Sequence, residues 1–556
     1  MKKFKSFINV ISVFMILTMI FCSCGSFKES EKSNELLDIS SFTIIREDKS
    51  SKDVTAQTVL LKKYILAVTG LSLTVRVDYD VPEIEGAKEI LIGQTDRSAT
   101  KNALKKLAEK DISDGYIIDI SDNYIVIVGT SDYATVRAIK VFKEKYVSLS
   151  PEGNSIVTDA GREIIEKYNS ENVIHASGGI ELEIEVISSI CEPSEETNKD
   201  FYDKYPLIIK GVQYPAITEL CHQPNEKDNG KLIAIFNLNA DAVGVKVRKT
   251  AACVAMSEDG GESWKCIARP EEKISPELSE GSMAHIYELP AAIGDMPAGT
   301  LLYSANSVDY SYKSNISVWR SFDAGHTWEQ YVCIASAGGL REGVWEPFMI
   351  YSEEDGYLYC FYSDDSDPKH DQKIVYKRSK DGVSWSDSVD VVAYSNFAYR
   401  PGMPVITKMG NGEYFLVFEL FGDWVGCPIF YKTTKDLSNW GDPNDYGTKI
   451  TDRENQMNAT PCCAWIPAGS ENGTLIVTAK STEEYIFASF DYGRNWEMIK
   501  NPLPFYEFAE SNGRIGYSAG LWVGSDGKTL YYINAINATS DPDSKSMAAF
   551  ARIKIY

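Results

Sequence analysis

The 556-residue chain predicts a mainly β protein: a six-bladed β-propeller preceded by a small α/β domain. Three observations carry that prediction. The turn S-x-D-x-G-x-x-W occurs at Ser257–Trp264, Ser321–Trp328 and Ser489–Trp496, with shorter variants at Ser379–Trp385 and Thr434–Trp440. The tryptophans at 264, 328, 385, 440 and 496 stand 55 to 64 residues apart, which is room for one four-stranded blade each. From about residue 178 the pattern is short strands and turns, with almost no helical periodicity.

Five turns leave a sixth blade without one. TLYYINA and the terminal MAAFARIKIY supply its strands, and pairing of terminal strands closes the ring and removes exposed edges. The turn itself has a local explanation. Its Asp carboxylate accepts backbone N–H bonds, Gly supplies a positive-φ position and Trp packs beneath. Asp259, Asp323, Asp381 and Asp491 are therefore structural.

Before the propeller, residues 1–24 read as a lipoprotein-type signal. Lys2, Lys3 and Lys5 precede the apolar run Phe7–Phe21, and Ser23 stands just before Cys24, the expected lipidation site. Residues 25–37 then form a charged, serine-rich tether. The expected location is outside the cytoplasm, lipid-anchored to a bacterial outer membrane. Residues 38–165 alternate helix and strand: Ala56–Thr69, Ala99–Glu109 and Tyr133–Tyr146 as helices, EILI at 89–92, Gly115–Ile120 and Tyr124–Val128 as strands. This α/β domain reads as accessory, and 178–556 as the catalytic propeller.

A formal charge of −23 argues against a nucleic-acid partner, which needs clustered Lys and Arg. Nine cysteines follow Cys24 with no C-x-x-C pair, and the five histidines are scattered, so no metal site and no cofactor are expected.

Within the propeller, Glu346 and Glu419 each interrupt an apolar, aromatic, strand-like run. A charge placed there is costly unless pairing or chemistry uses it. An ion pair of Glu346 with Arg341 or Arg400 is the plain structural alternative. If the repeated turns join third to fourth strands, residues 15 to 21 beyond each Trp begin an inner strand at the opposite mouth. His285, Glu346, Arg400, Thr460 and Tyr517 fall there. Prolines at 215, 347, 401 and 461 mark strand entrances, where a missing N–H is tolerated. Second-strand ends bring Asn237, Asn306, Asp364, Asp365, Glu419 and Asn534 to the same mouth. Asp364 and Asp365 read first as solvated loop acids, and Trp345, Phe348, Tyr399 and Trp424 as core or as sugar-stacking surfaces.

The repeated turns resemble the Asp-box of sialidase-like β-propellers. GVWEPF, FYSDD, YRPGMPVI and the FEL strand further resemble the exo-α-1,5-L-arabinanases of glycoside hydrolase family 93, over about residues 205–556. The resemblance implies a six-bladed propeller that releases arabinobiose from the non-reducing end of arabinan with retention. By motif its two catalytic glutamates fall on Glu346 and Glu419, and Tyr517 stands where an active-site tyrosine is expected. Candidates for substrate contact are Tyr214, His285, Arg341, Trp345, Asp365, Arg400 and Arg514.

The expected partners are a polysaccharide or oligosaccharide and, through the anchor, a membrane. Three alternatives stand beside this. A sialidase would need an arginine clamp; Tyr214-Pro215-Ala216 lacks the early Arg, although Arg341, Arg400 and Arg514 supply three. A glycan-binding lipoprotein without catalysis, or a structural propeller, would leave the embedded glutamates without a chemical role.

Overall fold

The computed structural model describes residues 37–556 except 150–154, 158–160, 192–206, 243–247, 274–281, 309–312, 339–341, 423–425, 481–483, 506–515 and 538–545. The expected signal, Cys24 and most of the tether lie outside the described residues. Among the described residues no helix is long and apolar enough to cross a membrane.

The chain divides into two compact units. The first comprises residues up to 49, 58–130 and 141–166. Its centre is a sheet in the order Val75–Val77, Thr43–Arg46, Glu89–Ile92, Tyr124–Gly129, Gly115–Ile120, Glu163–Lys167. The first four strands run parallel and Gly115–Ile120 antiparallel. The near-continuous apolar runs EILI and YIVIV are what a sheet covered on its faces requires, and their interior residues are fully buried. Helices span Lys52–Thr69, Ser98–Glu109 and Asp132–Tyr146, each beginning one to four residues before its sequence-based start.

The second unit, residues 50–57, 131–140 and 167–556, carries the propeller. Five blades are meanders of four antiparallel strands, within Leu207–Ala268, Ser282–Gly338, Val344–Val392, Arg400–Lys449 and Cys462–Lys500. The sixth takes three strands from Gly520–Val523, Thr529–Ile536 and Met547–Ile555. Its fourth strand is Ile180–Cys191, paired antiparallel from Leu182↔Ile555 to Cys191↔Ala548, and Val173–Ala176 pairs antiparallel along its outer edge. Strands alternate in burial between facing blades, so residues such as Phe361, Leu416 and Phe418 are fully buried in the seams, each stabilising by about 1.5–3 kcal/mol.

Every repeated turn joins the third to the fourth strand of its blade. Asp323 Oδ1 accepts the Thr327 N–H at 2.8 Å, and Asp491 Oδ1 accepts the Asn495 N–H at 2.9 Å. Gly325 and Gly493 take φ of 88° and 85°, and the Trp328 indole donates to the Gly325 carbonyl at 2.8 Å. The sixth blade has no such turn for a topological reason: its fourth strand, Ile180–Cys191, precedes the other three in the chain, so no turn joins third to fourth.

Candidate active site

The first strands of the blades surround a central cavity of about 440 Å³. Its mouth is shaped by one repeated device. Each first strand carries, within it or just before its start, a non-glycine residue with left-handed φ: Tyr214 (48°), Met283 (58°), Glu346 (58°), Met403 (56°), Thr460 (49°) and Ser518 (61°). In blades one to four the strand register shifts at this point. Such a conformation costs an L-residue about 1–2 kcal/mol, and the bulge re-aims the backbone there. Proline follows in four of the six, at 215, 347, 404 and 461, where no ladder N–H is demanded.

Counting from the tryptophans finds the inner strands: Arg400 begins one, His285 and Glu346 lie within theirs, and Thr460 and Tyr517 stand two and three residues before theirs. The left-handed residue itself is Met283, Glu346, Met403, Thr460 or Ser518 in these blades. The connections differ in length: the left-handed residues of blades two to six lie 19, 18, 18, 20 and 22 residues beyond the preceding tryptophan.

The bulges hold the two glutamates. The Met403 N–H donates to Glu346 Oε2 at 3.0 Å, and the Thr460 N–H donates to Glu419 Oε2 at 2.6 Å. Each carboxylate is thus gripped by the left-handed residue of the following blade. The buried Ser363 hydroxyl donates to Glu346 Oε2 at 2.7 Å, and the Cys427 thiol donates to Glu419. Glu419 is the cross-strand partner of Gly402, and a β-carbon on Gly402 would lie 3.6 Å from Glu346 Oε2. Both glutamates therefore converge on one glycine.

Burial and then the nearby Glu419 charge push Glu346 up to about 7; the Ser363 and Met403 hydrogen bonds pull the other way. Burial also raises Glu419, opposed by the Thr460 N–H, the Arg400 charge and the Cys427 thiol. A carboxylate beside another disfavours its ionisation, as burial does.

The alternative ion pair for Glu346 is not formed by Arg400, which is engaged elsewhere. Its guanidinium meets Asp365 Oδ2 at 3.2 Å and Asp371 Oδ2 at 3.0 Å, and donates to Gln372 Oε1 at 2.7 Å. The Trp345 indole donates to the same Asp365 oxygen at 3.1 Å. Asp364 and Asp365 are not solvated loop acids: they are 6% and 7% exposed. The strand end folds under the mouth, Asp364 accepts the Ser366 N–H at 2.8 Å, and burial raises Asp365 despite Arg400.

Tyr214 and Tyr517 meet edge to face at 5.2 Å, with the Lys480 ammonium 5.9 Å from the Tyr517 ring centre. His285 lies on the cavity wall, its ring 4.3 Å from Phe348 and its Nδ1 accepting the Met349 N–H at 3.2 Å. Burial lowers it to about 3, so it stays neutral and is no proton carrier. Arg341, Arg514 and Trp424 fall outside the described residues. Among the described residues no group of three His, Cys, Asp or Glu side chains is disposed to hold a metal ion.

Sequence reasoning missed Ser363, Gly402 and Cys427. YRPGMP contains a glycine inside a strand, which is a signal of close backbone approach. Nothing in the sequence marks Ser363 or Cys427.

No protein-family model and no curated protein sequence matches the chain. Solved structures do. An α-L-arabinanase from Penicillium chrysogenum, complexed with arabinobiose, is 26% identical with a TM-score of 0.54, over 66% of this chain and 97% of that one. An α-L-arabinofuranosidase from Fusarium graminearum with an iminosugar inhibitor is 25% identical, TM-score 0.54, over 67% and 98%. The family 93 α-L-arabinofuranosidase of Fusarium graminearum with arabinobiose is 26% identical, TM-score 0.51, over 62% and 93%. The resemblance drawn from the sequence and the likeness in three dimensions point to the same glycoside hydrolases.

Proposed function

We propose that this glycoside hydrolase acts on α-1,5-L-arabinan from the non-reducing end, with retention of configuration, and releases a short arabino-oligosaccharide. The observation that carries the reading is the convergence of Glu346 and Glu419 on Gly402, each held by a backbone N–H of the next blade and each raised by burial. Retaining hydrolysis needs such a pair: one ionised carboxylate to attack the anomeric carbon and one carboxylic acid to protonate the departing oxygen, about 5–5.5 Å apart.

In this reading Glu346 is the nucleophile. Two donors fix its Oε2, which leaves Oε1 for the anomeric carbon. Glu419 donates its proton as the glycosidic C–O bond breaks. It then takes a proton from the water that cleaves the glycosyl–Glu346 ester. Tyr517 flanks the reacting centre, and Tyr214, Trp345, His285 and the Asp365–Arg400 pair shape the mouth that receives the sugar. Lipidation at Cys24 would hold the enzyme at a membrane surface with the propeller free to meet polysaccharide.

Arg400 bears on the sialidase alternative. A carboxylate clamp needs available guanidinium groups, and this one is already paired with Asp365 and Asp371. A neutral sugar fits the mouth better than an acidic one.

The test is product analysis from linear α-1,5-arabinan with wild type, Glu346→Gln and Glu419→Gln. The expected result is one short product from wild type and loss of turnover in both folded variants. Release of an acidic sugar from a glycan panel, with arabinan untouched, would overturn the assignment. Binding of arabinan with no product from any substrate would make the protein a glycan-binding module.

A further inference from the structure

Ser363 ends the second strand of blade three, opposite Trp345, and is fully buried. Its oxygen sits between two partners. It accepts the Met403 N–H at 3.2 Å and lies 2.7 Å from Glu346 Oε2. The direction of the proton follows from the first contact. With a lone pair given to Met403, the hydroxyl hydrogen points at the glutamate, so Ser363 is a donor to Glu346. The same Met403 N–H also reaches Glu346 Oε2 at 3.0 Å, which closes a three-membered network of hydroxyl, amide and carboxylate. Gly402 borders it: a β-carbon there would stand in ordinary contact, 3.5 Å from Ser363 Oγ and 3.6 Å from Glu346 Oε2.

We propose that Ser363 is the positioning residue that fixes Glu346 with Oε2 engaged and Oε1 presented to the cavity, and that holds this glutamate ready in its ionised form. The proposal rests on the reading of Glu346 as nucleophile and deepens it. A donor to a carboxylate favours the charged form, and it opposes what burial and the neighbouring charges do. The carboxylates among those neighbours are Glu419 across the Gly402 strand and Asp365 two residues beyond Ser363; Arg400 acts on Glu419, and the Cys427 thiol lies beside both glutamates. None of these four donates a hydrogen bond to Glu346, so none replaces the hydroxyl.

The experiment compares wild type with Ser363→Ala and Ser363→Cys, which keeps nearly the same volume with a much weaker donor. Two readouts are taken. One is the carboxyl titration of Glu346 by NMR in glutamate-labelled protein, with Glu346→Gln identifying the signal. The other is the pH dependence of kcat and KM on linear arabinan. The expected result is an upward move of the Glu346 titration by about one pH unit in Ser363→Ala and less in Ser363→Cys. With it goes a kcat loss of roughly 10- to 100-fold at neutral pH and little change in KM.

A Glu346 titration that stays in place in both variants overturns the proposal, whatever happens to rate. Should Ser363→Ala fail to fold, the Ser363→Cys titration decides the matter alone. The titration needs no substrate, so it separates this proposal from the functional reading, which instead falls if Glu346→Gln turns over arabinan.

Discussion

Gly402 lies between the two glutamates: it pairs across the ladder with Glu419, and the space its missing side chain leaves is bounded by Glu346 Oε2 at 3.6 Å. Across that strand the Glu419 charge is near enough to help hold the Glu346 carboxyl above its usual range.

Replacing that glycine tests the arrangement. In Gly402→Ala the new methyl would stand 2.4 Å from Gln372 Nε2, which must move, and Gln372 holds both the Pro401 carbonyl and Arg400. We expect a stability loss of about 1–3 kcal/mol, as for overpacked sites, seen as a lower Tm. The fall in kcat/KM on arabinan should exceed roughly tenfold, because displacement at the reacting groups costs more than displacement elsewhere. A variant with wild-type kinetics would show that the glutamates do not depend on this close approach.

The raised Glu346 carboxyl gives stability a definite pH dependence. The unfolded chain releases this proton near 4.5 and the folded protein only at about 7, so folding becomes less favourable as pH rises through that window and stays so above it. Glu346→Gln removes the penalty. Thermal melts should show the variant more stable than wild type at pH 8 and no such gain at pH 4. Glu346 must be ionised to attack, so wild-type kcat/KM should climb as pH rises toward that value.

Arg400 makes a different prediction. Removing it leaves Asp365 buried with its charge uncompensated. Arg400→Met should cost about 3–5 kcal/mol, the usual result of breaking one side of a buried pair. Adding Asp365→Asn should recover much of that loss. Denaturant unfolding of the single and double variants measures the coupling directly, and additive losses would show that the pair contributes nothing specific.

The repeated turns should be separable from chemistry. Asp323→Ala removes acceptors for the Thr327 N–H and the Ser321 hydroxyl on the face opposite the glutamates. The expected outcome is a Tm decrease equivalent to about 1 kcal/mol with kcat and KM unchanged. A large kcat effect would contradict the structural role of these aspartates.

Period and turn chemistry alone determined the six blades, because each S-x-D-x-G-x-x-W turn is a local structure whose hydrogen bonds close within a few residues. The embedded positions of Glu346 and Glu419 were equally legible, since a carboxylate in an apolar strand stands out in any one-dimensional pattern. The terminal closure followed from counting strands against turns.

Contacts between blades were not legible. Whether Arg400 meets Glu346 or Asp365, which residue in each first strand turns left-handed, and where a buried serine hydroxyl points are settled only when strands 35 to 57 residues apart are placed side by side. Counting from Trp385 reached Arg400, where the first strand of blade four begins, but a count along the chain carries no sign that Met403 takes the left-handed bulge. The sequence determined that two glutamates would reach one mouth. The tertiary structure alone decided that a glycine, two backbone amides and a serine would hold them there, since hydrogen-bond partners across a seam are a property of distance in space and not of order along the chain.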